Sequence, residues 1–373
     1  MNKLLAVLLV ALSISVSATG GRSFPSELGP VSVTEIATGL NHPWSLAFLP
    51  DGRMLVTEKP GTMRIVGADG KLGLPLTGVP EVDARGQGGL LDVVLAPDFT
   101  KSQRVYFSYS EPRALGNGTA IAHARLVEGA LSQVTVIFRQ RPDKKSHQHF
   151  GSRLVFDREG LLYVTLGDRG RSRDEAQSLG GYLGKVVRLT PDGKAAPGNP
   201  FLDRKDAGPE LWSYGHRNPQ GAALHPTTGR LWLHEHGPQG GDEINIPLPG
   251  RNYGWPVITY GIGYDGSPIG ESTSKDGMEQ PIHYWVPSIA PSGMAFYTAD
   301  RFPQWKHQLF VGSLKFGQLV RLELKGEKVV KEERLLQKLN RRVRDVRQGP
   351  DGYLYLLTDS GDGSILRVGL GAN

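Results

Sequence analysis

Six times along the chain a short apolar run is followed by a turn rich in Pro, Asp or Gly and then by a second apolar run. The first pair is 45–49 and 54–57 around the turn 50–52, and the second is 92–95 and 105–109 around 97–99. The third spans 147–170 around the turn 157–160, and the fourth is 221–224 and 231–234 around 225–229. The fifth is 293–297 and 309–313 around 298–303, and the sixth is 345–348 and 354–358 around 349–352. Several units add a further run, at 62–66, 186–189, 318–324 and 365–368. Short strands repeating every forty to seventy residues or so predict an all-β, six-bladed β-propeller of four-stranded antiparallel blades. No helical period is long enough to compete. Residues 31–37 predict a strand that closes the ring, and the Gly/Pro-rich insertions 191–209 and 258–281 predict loops on the face that carries a site.

A propeller turns the first strand of every blade toward one axis, so residues at blade entrances converge although they are far apart in sequence. Polar candidates stand at nearly every entrance: Gln87, His149, Arg217 with Asn218, Lys315, and Arg342 with Arg344. His149 and Asp168 are 19 residues apart, on the two runs of one hairpin, and meet if both lie at the same end of it. A histidine oriented by a carboxylate is a proton acceptor at neutral pH. Alternation also puts His147 and His149 on one strand face as a candidate metal pair, but no third ligand has suitable spacing. Arg217 and Asn218 offer donors for an oxyanion or carboxylate, against the plainer reading of an arginine that caps loop carbonyls. Arg342 and Arg344, two apart, point the same way on a strand and repel unless an anion lies between them; a solvated surface strand is the alternative. With Lys315 they suit a ligand with several carboxylates. The Gly-rich stretch 236–243 lacks the Lys-Ser/Thr ending of a phosphate loop. The carbonyls of Gly237 and Pro238, with Glu243 nearby, suit a hard cation such as calcium, against a plain turn of left-handed glycines.

Composition narrows this picture. The chain has 373 residues with 49 Gly, 26 Pro and no Cys, which removes thiol nucleophiles and thiolate metal sites. Residues 1–18 carry a charged start, a short apolar run and a small-residue end, the pattern of a secretory signal; a single propeller domain is expected over 30–370. The product is then periplasmic or secreted, held together by core packing alone. The net charge of +6 is diffuse, which gives no reason to expect nucleic acid, and no stretch is long enough for stable membrane insertion.

These pieces jointly resemble the soluble quinoprotein glucose/aldose sugar dehydrogenase family, which uses pyrroloquinoline quinone (PQQ). The motifs are GLNHPW at 39–44, GQGGL at 86–90, HFGSRL at 149–154, GDRG at 167–170, GHRNP at 215–219, GP at 237–238, DEIN at 242–245, NYGWP at 252–256 and RVRD at 342–345. The resemblance implies His149 as the base for the sugar C1 hydroxyl while C1 hydride passes to the quinone, with Asp168 orienting it. It implies that Arg217 and Asn218 contact the quinone oxygens, that Gln87, Lys315, Arg342 and Arg344 hold the cofactor carboxylates, and that Tyr264 lines the cofactor. It implies a calcium on the Gly237 and Pro238 carbonyls and a second, structural calcium on Glu243 and the Tyr253 carbonyl. The partners implied are an aldose and an external electron acceptor, quinone or cytochrome. The chain is shorter than the glucose-specific dimeric members, and Ser288 stands where a threonine is familiar in them. This aligns it with the broader aldose-type branch, as a monomer or weak dimer. A calcium-dependent lactonase would want a channel lined by carboxylates and Asn. A propeller that only binds a carbohydrate or protein would not need the base, the arginines and the lysine together.

Overall fold

The computed structural model describes residues 21–371; the expected signal segment 1–18 lies outside them. Six antiparallel sheets follow one another around an axis, five of four strands and one of five. The first blade runs outward from Pro43–Phe48 through Met54–Glu58 and Thr62–Val66 to Leu72–Pro75. The inner strands of the next four blades are Leu90–Leu95, Gly151–Phe156, Pro219–Leu224 and Pro291–Phe296. In the sixth, Val343–Gln348 is innermost, and Val31–Leu40 pairs with Gly363–Leu370 on the outer side, with Arg22–Phe24 beyond it. The strand expected at 31–37 therefore exists, runs to Leu40, and joins the two ends of the chain in one blade.

Burial explains these strands. The second strand of each blade is covered by neighbouring blades on both faces: Leu162–Leu166 and Leu231–Glu235 are buried at every position. They therefore read as continuous apolar runs and not as alternating ones. The outermost strands are largely polar and exposed because one face meets water, as in Lys328–Leu335.

The axis is filled by charge. Asp92 on the second blade accepts from Ser45 Oγ (2.6 Å) on the first, Arg153 Nη1 (3.1 Å) on the third and Arg347 Nη2 (2.8 Å) on the sixth. Arg347 Nε also donates to Asp345 (2.8 Å). Arg153 Nη2 lies 2.9 Å from Asp345 Oδ1, an ion contact off the hydrogen-bonding direction. Burial opposes the Asp92 charge, but Arg153 and Arg347 hold its carboxyl below the usual range. This network ties four blades together beneath the site.

Candidate active site

His149 lies two residues before the strand Gly151–Phe156, and Asp168 two residues after its partner Leu162–Leu166. Gly151 is opposite Leu166, so both side chains emerge at the same end of the hairpin, as expected, but from loops. His149 has φ +53°, a left-handed conformation uncommon for a side-chain-bearing residue. Its N–H donates to Gln87 Oε1 (2.9 Å), and a Cβ at Gly167 would collide with its carbonyl. This geometry overturns the shared strand face expected for His147 and His149. His147 is exposed on the preceding loop, and no cluster of three or more His, Cys, Asp or Glu suited to a metal occurs among the described residues.

His149 is 8 % exposed, and its Nδ1 lies 2.6 Å from Asp168 Oδ1. Asp168 is fully buried. Its Oδ1 also accepts from Gly170 N (2.7 Å), and its Oδ2 accepts from Trp255 Nε1 (2.7 Å). With Nδ1–H directed at the carboxylate, Nε2 carries the lone pair. Burial pushes the imidazole pKa down and the Arg217 charge adds to this, while Asp168 opposes both, so the ring is a neutral base at pH 7.

Arg217 and Asn218 precede the inner strand of the fourth blade. Arg217 N donates to Glu235 Oε2 (2.5 Å) and its Nη1 to the His236 carbonyl (3.0 Å), and its guanidinium lies 5.2 Å from the Trp255 ring centre. Its Nε is buried without a partner, a donor left for a ligand. Asn218 is buried, and its Oδ1 accepts from Gly151 N (3.2 Å) and Gln220 Nε2 (3.3 Å), so the oxygen of this side chain ties two blades together.

A cavity of about 850 Å³ opens on this face. Gln87, Tyr264, Lys315, Arg342 and Arg344 line it together with Trp44, Lys59 and Asp359; His149, Arg217 and Asn218 stand behind its wall, joined to it through Gln87, His236 and Gln220. Tyr264, 78 % exposed, comes from the loop after the fourth blade's third strand. The loop 191–209 contributes nothing to the cavity and is not part of this face's site. Arg342 precedes the strand that begins at Val343, and an irregular register between Val343 and Asp345 still lets both arginines reach one carboxylate. Asp359 Oδ2 accepts from Arg344 Nη2 (3.1 Å) and Arg342 Nη2 (3.3 Å), and its Oδ1 lies 2.9 Å from His42 Nδ1. Asp359 and Lys59 were not foreseen. Each directly follows the second strand of its blade, Met54–Glu58 for Lys59 and Leu354–Thr358 for Asp359, one residue nearer the strand than Asp168 is to its own.

Gly237 and Pro238 border the cavity. Asp242 holds their loop: Oδ1 accepts from Gly237 N (2.8 Å) and Oδ2 from Ile289 N (2.7 Å) and Ala290 N (2.8 Å). Ser288 Oγ lies 3.4 Å from the Pro238 carbonyl. Glu243 stands across the sheet from Glu235. Burial, and then the charge of Glu235, push its carboxyl pKa up. Asn245 Nδ2 donates to Glu243 (2.8 Å), and Asn245 Oδ1 is buried without a donor. Tyr253 stacks on His216 (4.9 Å), which in turn meets Glu235 at 2.8 Å. The buried carboxylate of Glu235, the half-buried one of Glu243 and an unpartnered amide oxygen fit a hard cation.

A carboxylate-oriented base beside a cavity walled by cations, on a six-bladed propeller, suits an enzyme that acts next to a bound anionic ligand. The family model described as Glucose / Sorbosone dehydrogenase matches residues 40–367, and the chain belongs to that family. It is 50 % identical over 345 residues to the aldose sugar dehydrogenase YliI of Escherichia coli, covering 91 % of this chain and 92 % of that one. It is 29 % identical to quinoprotein glucose dehydrogenase B of Acinetobacter calcoaceticus over 88 % of this chain and 87 % of that one. The PQQ-bound structure of an aldose sugar dehydrogenase from Streptomyces coelicolor superposes with a TM-score of 0.75 at 32 % identity, covering 91 % and 98 % of the two chains.

Proposed function

We propose that this chain oxidises aldose sugars at C1 to the lactone, with PQQ and calcium, and passes the two electrons to an external acceptor. The observation that carries the reading is the His149–Asp168 pair at 2.6 Å beside the cation-walled cavity. PQQ, when bound, supplies a quinone that accepts hydride. The residues present fit it: Lys315, Arg342 and Arg344 face the cavity with Gln87 and Tyr264, and Arg217 Nε has no protein partner. Arg217 and Asn218 would hold the quinone oxygens, with Arg217 countering the negative charge that develops there. The Gly237 and Pro238 carbonyls would hold a calcium as a Lewis acid, and Glu243 with the Tyr253 carbonyl a structural one. His149 Nε2 takes the proton of the anomeric hydroxyl as C1 gives up hydride, and Asp168 steadies the resulting imidazolium.

The same reading makes the protein an exported one, periplasmic or secreted, with a quinone or a cytochrome as acceptor, acting as a monomer or weak dimer. It rests on the pattern of residues 1–18 and on the shorter loops. The experiment is to add PQQ and calcium to purified protein and follow aldose-dependent reduction of a redox dye. Dye reduction that needs both additions supports the reading, and its absence with every common aldose refutes it.

A further inference from the structure

Trp255 has no part in the chemistry outlined above, yet two of its groups touch both halves of the site. Its indole N–H donates to Asp168 Oδ2 at 2.7 Å, on the carboxylate oxygen that His149 does not use. Its ring lies 5.2 Å from the Arg217 guanidinium carbon. The backbone that carries the ring is fixed from behind. Trp255 N donates to the Gly215 carbonyl (2.9 Å), and Gln177 Nε2 donates to the Trp255 carbonyl (2.7 Å). Gln177 and Asn252 exchange two further side-chain hydrogen bonds, at 2.7 and 3.0 Å, and a Cβ at Gly215 would collide with Asn252 Oδ1. Trp255 is buried, so no water replaces its N–H on Asp168 without repacking.

We propose that Trp255 is a positioning residue that fixes the Asp168 carboxylate, and through it the His149 ring, in register with the Arg217 guanidinium. The proposal rests on His149 being the base. A carboxylate held at one oxygen only can rotate about its last bond; held at both, it presents one lone pair to Nδ1 at a set angle. Sharing its charge with the indole also weakens its hold on an imidazolium. The charged and titratable groups facing His149 are Asp168, Arg217, Arg169 and His236. Only Asp168 among them is hydrogen-bonded to Trp255.

The test is Trp255→Phe, which removes the N–H and keeps a ring under Arg217, beside Trp255→Leu, which removes both. In Trp255→Phe, kcat is expected to fall about ten- to a hundredfold with the sugar KM changed less than about twofold. The acid limb of the pH profile moves to higher pH, because the unshared carboxylate holds the imidazolium more tightly. The second readout needs no turnover. In the protein without cofactor, the His149 ring resonance, assigned by its loss in His149→Gln, titrates at higher pH in Trp255→Phe than in the parent chain. Trp255→Leu additionally weakens PQQ binding, followed by fluorescence titration. An unchanged His149 titration in a Trp255→Phe protein that folds as the parent does overturns the proposal. If His149→Gln keeps full activity, the base reading fails, while the titration still reports whether Trp255 positions the ring.

Discussion

Arg344 and Asp359 meet at 3.1 Å on the cavity wall, and Arg342 reaches the same carboxylate oxygen from the other side at 3.3 Å. Two like charges thus share one counter-ion on a surface that also carries Lys59 and Lys315, so the wall keeps a cationic excess. Fixed in this way, the two guanidiniums are preorganised, and little ordering remains to be done when a carboxylate arrives.

The two arginines are not equivalent. The side chain of Arg344 is 13 % exposed and that of Arg342 55 %. A charge-assisted hydrogen bond is worth more where water is excluded. Arg344→Ala is expected to weaken PQQ binding about ten- to a hundredfold and Arg342→Ala by less than about tenfold. Equilibrium fluorescence titration measures both. Equal losses, or none, would place these side chains elsewhere in the bound state.

His149→Gln keeps the size and polarity of the side chain but cannot take a proton. Turnover is expected to drop about 10²- to 10⁴-fold while the PQQ dissociation constant changes little. In the parent enzyme the base is lowered by burial and by Arg217, so it stays unprotonated below the ordinary histidine range. Activity should therefore hold as pH falls to about 6.5 and decline only at lower pH. A profile already falling between about pH 8 and 7 would contradict this.

Asp92 is the hub of the axial network and has no contact with the cavity. Asp92→Ala leaves the buried Arg153 and the half-buried Arg347 with one fewer counter-charge, which is expected to cost about 3 kcal/mol. Denaturant unfolding measures the loss. Asp92→Asn, which keeps the shape but not the charge, should still lose a substantial part of it.

Glu243 and Glu235 face each other across one strand pair, with the unpartnered Asn245 oxygen beside them. Calcium is expected to raise the melting temperature of the cofactor-free protein, and chelation to reverse the gain. Glu243→Gln should abolish most of that gain while leaving PQQ binding nearly intact. Retention of the full calcium effect in Glu243→Gln would assign the stabilising ion to another site.

The blades were legible because inner and second strands are apolar and their turns carry Pro, Asp and Gly. The ring-closing strand was legible only in part: alternation in Val31–Leu40 is interrupted by register shifts after Glu35 and Ala37. At the site, reasoning from blade entrances reached Gln87, His149, Arg217, Lys315 and the arginine pair. It reached Asp168 from its hairpin with His149, but passed over Lys59, His236 and Asp359, which each directly follow a second strand. Aligning the six repeats on their second strands would have exposed them. The left-handed backbone at His149 could not be read from residue type, since it is imposed by Gln87 and the tight approach of Gly167. Trp255 stood in a recognised motif, but its link to Asp168 spans 87 residues and exists only once the third and fourth blades are packed together.

The pairing of Val31–Leu40 with Gly363–Leu370 sets a timetable. During synthesis Val31–Leu40 has only the three-residue strand Arg22–Phe24 beside it until Gly363–Leu370 has been made, so the seam stays open until that strand emerges. A tag or deletion reaching past either strand would breach the same blade, and end-truncated fragments should fail together instead of losing stability in proportion to length.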